Sequence, residues 1–162
     1  MSSDIISAVT SRAEFRDAVR ACLGRAAEAH AGEIFMIDPT FADWPLNDVA
    51  VVDTFARWAG SGRSLTLMAH RFDELPRRHT RFVEWRRNWS HVVRCRTDEE
   101  LEEQQIPTLL LVPGLTCLRM VDNVNYRGTV SDLAADLTAG RETVDALLQR
   151  SSDAFPVTAL GL

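Results

Sequence analysis

The side chains able to do chemistry are few and scattered along the chain. Three of the four His (His70, His79 and His91) fall in or beside an Arg-dense stretch, spaced nine and then twelve residues apart. A helical two-His metal pair needs ligands four residues apart on one face, so this spacing forms no metal motif. Asp38 and His70 each close a short apolar run and could meet at one sheet edge. There His70 would serve as base or nucleophile, with Arg71, Arg78 or Arg81 as anion clamps. As a metal site this pair is the weaker reading beside satisfied structural histidines. No G-x-S-x-G or G-x-G-x-x-G occurs, and Cys22, Cys95 and Cys117 form no C-x-x-C pair. Cys95 and Cys117 sit inside apolar runs, where Cys acts as a small apolar side chain.

All 18 basic side chains are Arg and none is Lys. This excludes a phosphate-loop Lys, a Schiff-base Lys and a pyridoxal phosphate anchor. No cofactor and no metal are predicted. The formal net charge is −5, unevenly spread: residues 71–96 hold eight Arg against three acids, a local +5 that leaves −10 elsewhere. Phe72, Phe82, Trp85 and Trp89 are interleaved with those Arg. Such a mixture can bind a small anionic ligand or nucleic acid, here through Arg77, Arg78, Arg81, Arg86 and Arg87. The same stretch also reads as an ordinary amphipathic helix. Leu75, Phe82, Trp85 and Trp89 share helical spacing and would be buried. Asp73–Arg77, Glu74–Arg78, Arg81–Glu84 and Glu84–Arg87 would neutralise the exposed charge. The solvated helix is the first reading and the anion-binding face the second. The acidic remainder disfavours nucleic acid, because phosphate attraction follows the summed charge.

The elements that must position these residues follow from periodicity and breakers. A length of 162 residues suits one domain, with residues 1–10 as a flexible tail and 11–162 as the folded part. Ser11 and Glu14 predict a capping box that opens a helix carrying Phe15, Val19, Cys22 and Ala26 on one face, with Gly32 closing it. Apolar strands are predicted over Glu33–Asp38, Ser64–His70, His91–Arg96, Thr108–Val112 and Thr116–Asp122, with a further extended piece over Asn125–Val130. Helices are predicted from Asn47 to about Ala59, over Asp73–Ser90, over Asp98–Gln105, and from Asp132 to about Arg150. Strands alternating with helices predict an α/β fold with a mixed, mostly parallel sheet of about five to seven strands and helices on both faces. Ligands of such sheets sit beyond the carboxyl ends of the strands, here near Asp38, His70, Arg71 and Arg96. No apolar run approaches the ~20 residues of a membrane span. The absence of a basic leader and the odd number of Cys predict a cytoplasmic chain.

The succession of βα units, then two adjacent strands and a last helix, resembles one repeat of the phospholipase D superfamily. The hallmark of that family is H-x-K-x4-D followed by Gly-Ser, with His as nucleophile, Lys on the phosphate and Asp orienting the site. The matching frame is Leu115-Thr116-Cys117-Leu118-Arg119-Met120-Val121-Asp122, with Gly128-Thr129 near the Gly-Ser position. Asp122 falls on the Asp, but Leu115 stands at the His position and Cys117 at the Lys position. Leu cannot attack phosphorus, and Cys cannot be the cation. Arg119 could replace the cation only by facing the same way as Cys117. His70 or His79 would have to supply the imidazole from another strand. The resemblance therefore implies a degenerate single-repeat, phospholipase D-like domain of bacterial type. Its role would be non-catalytic binding or scaffolding, and it would pair into a homodimer. The alternatives are a phosphate-ester hydrolase or transferase around His70, and an anion binder on the Arg-rich helix.

Overall fold

A computed structural model describes residues 6–157. Its elements are β1 (Ile6–Val9), α1 (Arg12–Glu28), β2 (Glu33–Ile37), α2 (Val49–Trp58), β3 (Ser64–Met68), α3 (Glu74–Arg78), α4 (Thr80–Asn88) and β4 (Val93–Thr97). A single 3₁₀ turn at Glu103–Gln105 precedes β5 (Thr108–Val112), β6 (Thr116–Asp122), β7 (Arg127–Ser131), α5 (Ala134–Gln149) and β8 (Ser152–Asp153). The strands form one mixed sheet in the order β1-β7-β6-β5-β2-β3-β4-β8. No helix among the described residues is long and apolar enough to cross a membrane.

Strand β2 organises the molecule. Ile34 and Met36 point to the face covered by α1, α2 and α4, while Phe35 and Ile37 point to the face covered by α5. All four are buried, as a central strand with helices on both faces requires. The α/β class, the mixed sheet and the two helical faces agree with the sequence. The sheet has eight strands, however, and only the β2–β3 and β3–β4 ladders are parallel. The reason is connection length. Helical crossovers allow β2, β3 and β4 to run alike, whereas the short Pro113-Gly114 turn and the turn after Asp122 permit only antiparallel return.

The extra strands come from the ends of the described chain. Residues 6–9, expected in a loose tail, pair with β7 from Ile6↔Ser131 to Val9↔Gly128. Residues 1–5 and 158–162 lie outside the described residues. Ser152 and Asp153 pair with Thr97 and Arg96. Both pairings are non-local and leave no periodic mark in so few residues.

Helix boundaries shift for identifiable reasons. Ser11 caps α1 by accepting from Glu14 N at 3.1 Å, but the Glu14 carboxylate bonds Thr10 N at 2.7 Å rather than closing a capping box on Ser11. The left-handed residue after α1 is His30, at φ 53°, not Gly32. Asn47 does not cap α2. It accepts instead from Arg81 N at 2.9 Å and so caps α4 from across the fold. The helix expected over Asp73–Ser90 breaks at His79, whose φ and ψ are −126° and 54°. The ring of that residue is buried and holds the Phe41 carbonyl at 2.7 Å, a tertiary bond that outweighs helical continuity. Of the helix expected over Asp98–Gln105, only the 3₁₀ turn forms.

Candidate functional site

A cavity of about 420 Å³ opens where the chain leaves β2 and β6. Those two strands run in the same direction, since each is antiparallel to β5 between them. Asp38 follows β2, Thr108 opens β5 and Asn123 follows β6, so the sheet delivers three polar side chains to one edge. They form a relay. Asn123 Nδ2 donates to Thr108 Oγ1 at 3.1 Å, and Thr108 Oγ1 donates to Asp38 Oδ1 at 2.5 Å. The other Asp38 oxygen accepts from Thr40 N at 3.0 Å and Phe41 N at 2.7 Å. Burial pushes the Asp38 carboxyl above its ordinary value, opposed by these hydrogen bonds. Asp38 also pins a tight turn, in which buried Phe41 takes φ 62°, a left-handed conformation that is costly for an aromatic residue.

The upper wall is made by loops. Tyr126 donates its hydroxyl to Asp43 Oδ2 at 2.7 Å, and Arg12 pairs with Asp43 Oδ1 at 3.0 Å. Burial first, and the Asp43 carboxylate second, push the Tyr126 phenol up to about 12. Arg71 lines the cavity but is shared between Asp73 at 3.3 Å and Glu103 at 3.5 Å. Asp38, Asp43 and Glu103 line the cavity with Arg71, and both nearby guanidinium groups, Arg71 and Arg12, are already engaged by acids, so among the described residues the wall offers no free cation to an anion. No group of three metal-ligating side chains occurs among the described residues.

The structure disperses most of the other sequence candidates. Asp38 and Arg71 meet at the cavity. His70 is tied by its backbone N–H to Pro39 O at 3.0 Å, yet its side chain is not in the cavity wall, and its Nδ1 is buried without a partner. Arg77 and Arg78 both pair with Glu74, and Arg87 pairs with Glu84. The guanidinium of Arg81 donates to Asn47 O at 3.1 Å. Arg86 turns inward and is only 5% exposed. The exposed Arg of the basic stretch are therefore largely neutralised on the helix surface. The residues that complete the cavity (Asp43, Glu103, Thr108, Asn123 and Tyr126) belong to no spacing pattern. The one sequence signal available was that Thr108 and Asn123 flank predicted strands.

The frame that carried the family resemblance runs the length of β6, with Asp122 at the cavity end and Leu115 and Cys117 at the opposite end. Leu115 packs on the α1-side core, and Cys117 is buried on the α5 side. A Cβ built on Gly140 of α5 would stand 2.9 Å from Cys117 Sγ, so the helix backbone lies directly over the position of the family's Lys. Burial pushes the Cys117 thiol up to about 11, which keeps it protonated and unreactive. Arg119 does share the face of Cys117, but its Nη2 donates to Thr143 of α5 at 2.9 Å. Asp122 shapes a turn: it accepts from Val124 N at 2.9 Å and Asn125 N at 3.0 Å, bonds that lower its carboxyl. His70 and His79 are tied by hydrogen bonds to Pro39 and Phe41, at the other edge. Burial lowers the pKa of His79 and keeps its ring neutral.

No protein-family model and no curated protein sequence matches the chain. Solved structures do match, and they define the fold as phospholipase D-like. Nuc from Salmonella typhimurium, a phospholipase D family member, superposes with a TM-score of 0.59 at 12% identity, over 95% of this chain and 100% of that one. NucT from Helicobacter pylori gives 0.60 at 10% identity, over 94% of this chain and 100% of that one. TrmBL2, an archaeal chromatin protein with a novel mode of DNA binding, gives 0.63 at 12% identity. That match covers 92% of this chain and 54% of TrmBL2, so the chain spans about half the length of that protein.

Proposed function

We propose that this chain is a phospholipase D-like binding domain without phosphodiesterase activity, whose small polar ligand enters the strand-end cavity. The observation that carries this reading is the burial of Cys117 beneath Gly140 of α5, with Leu115 partly buried against the α1-side core on the other face. A phosphoryl-transfer site needs an exposed nucleophile and a cation facing the phosphate. Neither a protonated, covered thiol nor a Leu supplies either. The carboxylates of Asp43 and Glu103, with Gln104 and Asn123, favour a ligand rich in hydroxyl or amine donors over an anionic one. Self-association into a homodimer belongs to the same reading, and light scattering at high concentration checks it.

The test is hydrolysis of bis(p-nitrophenyl) phosphate. The expected result is no turnover above a heat-denatured control. Turnover that disappears in His70→Ala would replace this reading with the hydrolase one. The likeness to a DNA-binding chromatin protein supports a second reading, duplex binding. The pairing of Arg77, Arg78 and Arg87 with acids opposes it, and the expected outcome of a low-salt mobility-shift assay is no retardation.

A further inference from the structure

Arg86 is the least expected residue in the core. It projects from α4, is 5% exposed, and its Nε has no hydrogen-bond partner. No acid among the described residues forms an ion pair with it. Its one contact of note is the face of Phe155, with Cζ 4.8 Å from the ring centroid. An unpaired guanidinium in a core is costly, since desolvation is compensated only by a counter-charge or full hydrogen bonding.

Beside it lies a second cavity of about 460 Å³, whose wall includes Arg86, Arg94, Cys95, Asp153 and Pro156. Arg94 is exposed and likewise has no ion pair among the described residues. The one carboxylate in the wall, Asp153, is engaged by Arg96 at 2.6 Å, and Arg96 is further held by Ser151. Among the described residues, the wall therefore carries two positive charges without an ion-pair partner. The cavity exists because the final segment leaves the sheet early. Ala154 N bonds Cys95 O at 2.9 Å, then Phe155 takes φ 45° and Pro156 has no N–H to continue the ladder. Among the described residues no strand pairs with this edge of β4 at Val93 and Arg94, while Phe155 stacks on Phe72 at 5.7 Å and lies over Arg86.

We propose that this cavity is a binding site for a small phosphate-bearing molecule, its phosphate held by Arg86 from below and Arg94 from the rim. The planar guanidinium fork matches tetrahedral oxyanions, and a desolvated Arg binds them with more than point-charge strength. The site is separate from the strand-end cavity, and the two readings stand or fall independently.

Inorganic phosphate and glycerol 3-phosphate are the probes, with chloride and acetate as controls at equal ionic strength, read by thermal melting and titration calorimetry. Phosphate is expected to raise the melting temperature, chloride is not, and a weaker response to acetate would assign the site to phosphate over carboxylate. Arg86→Met keeps the side-chain volume and should weaken phosphate binding by more than about tenfold. Without phosphate it should melt no lower than wild type, because it removes an unpaired buried charge. Arg94→Ala should weaken binding by about threefold to tenfold with the fold intact. Equal melting in phosphate and chloride, or an undiminished phosphate response in Arg86→Met, overturns the proposal. Should Arg86→Met fail to fold, an unchanged phosphate affinity in Arg94→Glu overturns it equally.

Discussion

At the start of β6, Leu115 and Cys117 lie against packed apolar side chains on the two faces of the sheet, and the backbone of α5 runs across Cys117 at Gly140. At the other end of the same strand, Asn123 reaches Thr108 and through it Asp38, in the wall of an open polar cavity. One strand thus presents a sealed end and an open end. The difference lies in what covers them. A helix packed by apolar contact excludes water and leaves no room for a reacting group, whereas loops held by Asp38, Asp43 and Tyr126 leave space and polar walls. The place where the family pattern would put chemistry is the place this fold has filled.

The largest effect should come from forcing the family's residues back into the sealed end. Leu115→His with Cys117→Lys puts an ammonium under α5. It should cost about 4 kcal/mol or more in urea unfolding, because a buried unpaired charge is added to overpacking against Gly140. Hydrolysis of bis(p-nitrophenyl) phosphate by this variant would break the comparison, since it would show that the sealed end can open.

Gly128→Ala comes next. Its Cβ would clash with Arg119 O and stand 2.8 Å from Met120 Cα, both backbone atoms that cannot rotate aside. Prying β7 from β6 disturbs the strand that joins the two ends, at a cost of about 2–3 kcal/mol by chemical denaturation. A loss under ~1 kcal/mol would mean that the β6–β7 ladder is looser than its register implies.

At the open end, Asp38→Ala strands Thr40 N, Phe41 N and the Thr108 hydroxyl, for about 2 kcal/mol of destabilisation. Asp38→Asn keeps the acceptor for the two N–H groups and should cost less. It also isolates a pH effect. The folded Asp38 carboxyl is raised, so the native state holds its proton more tightly than the unfolded chain. This contribution is most favourable at low pH and is lost as pH rises through the raised value. The stability of wild type relative to Asp38→Asn should therefore fall as pH rises above the ordinary carboxylate value, as read from urea midpoints. Taking the difference between the two proteins removes the opposite contributions of Glu14 and Asp122, both of which are lowered. A flat difference would mean that Asp38 is solvated and that the cavity base is wet. The smallest effect belongs to Tyr126→Phe, which removes the bond to Asp43 on a half-exposed wall and should cost about 1 kcal/mol or less.

Much of this contrast was legible in the residues. The strands β2, β3 and β5 are apolar enough to be placed by composition, because a central strand buries both faces. The absence of His and Lys from the frame was readable directly, and the rule for strand ends pointed to the edge where Asp38 and Arg71 line the cavity. The rest escaped for particular reasons. His70 sits beside the cavity rather than in its wall, since a position two residues past β3 says nothing of side-chain direction. The helix break at His79 depends on the Phe41 carbonyl, 38 residues away in sequence. Arg86 was assigned to a charged surface because its type outvoted its position, four residues after buried Phe82.

The sequence by itself determined which residue types the frame lacks. The chain has no Lys, and Leu115 and Cys117 stand where the resembled motif has His and Lys. It also determined the apolar pattern that makes a two-faced sheet. Only the tertiary structure decided which charges remain unspent. Arg77, Arg78 and Arg87 are neutralised by near neighbours on their own helices, while Arg86, Arg94 and the acids around Asp38 acquire their surroundings from distant segments. Pairing and burial are set by distance in space, and for these residues that distance is fixed by β4, β5, β6 and the closing strap rather than by neighbours in the chain.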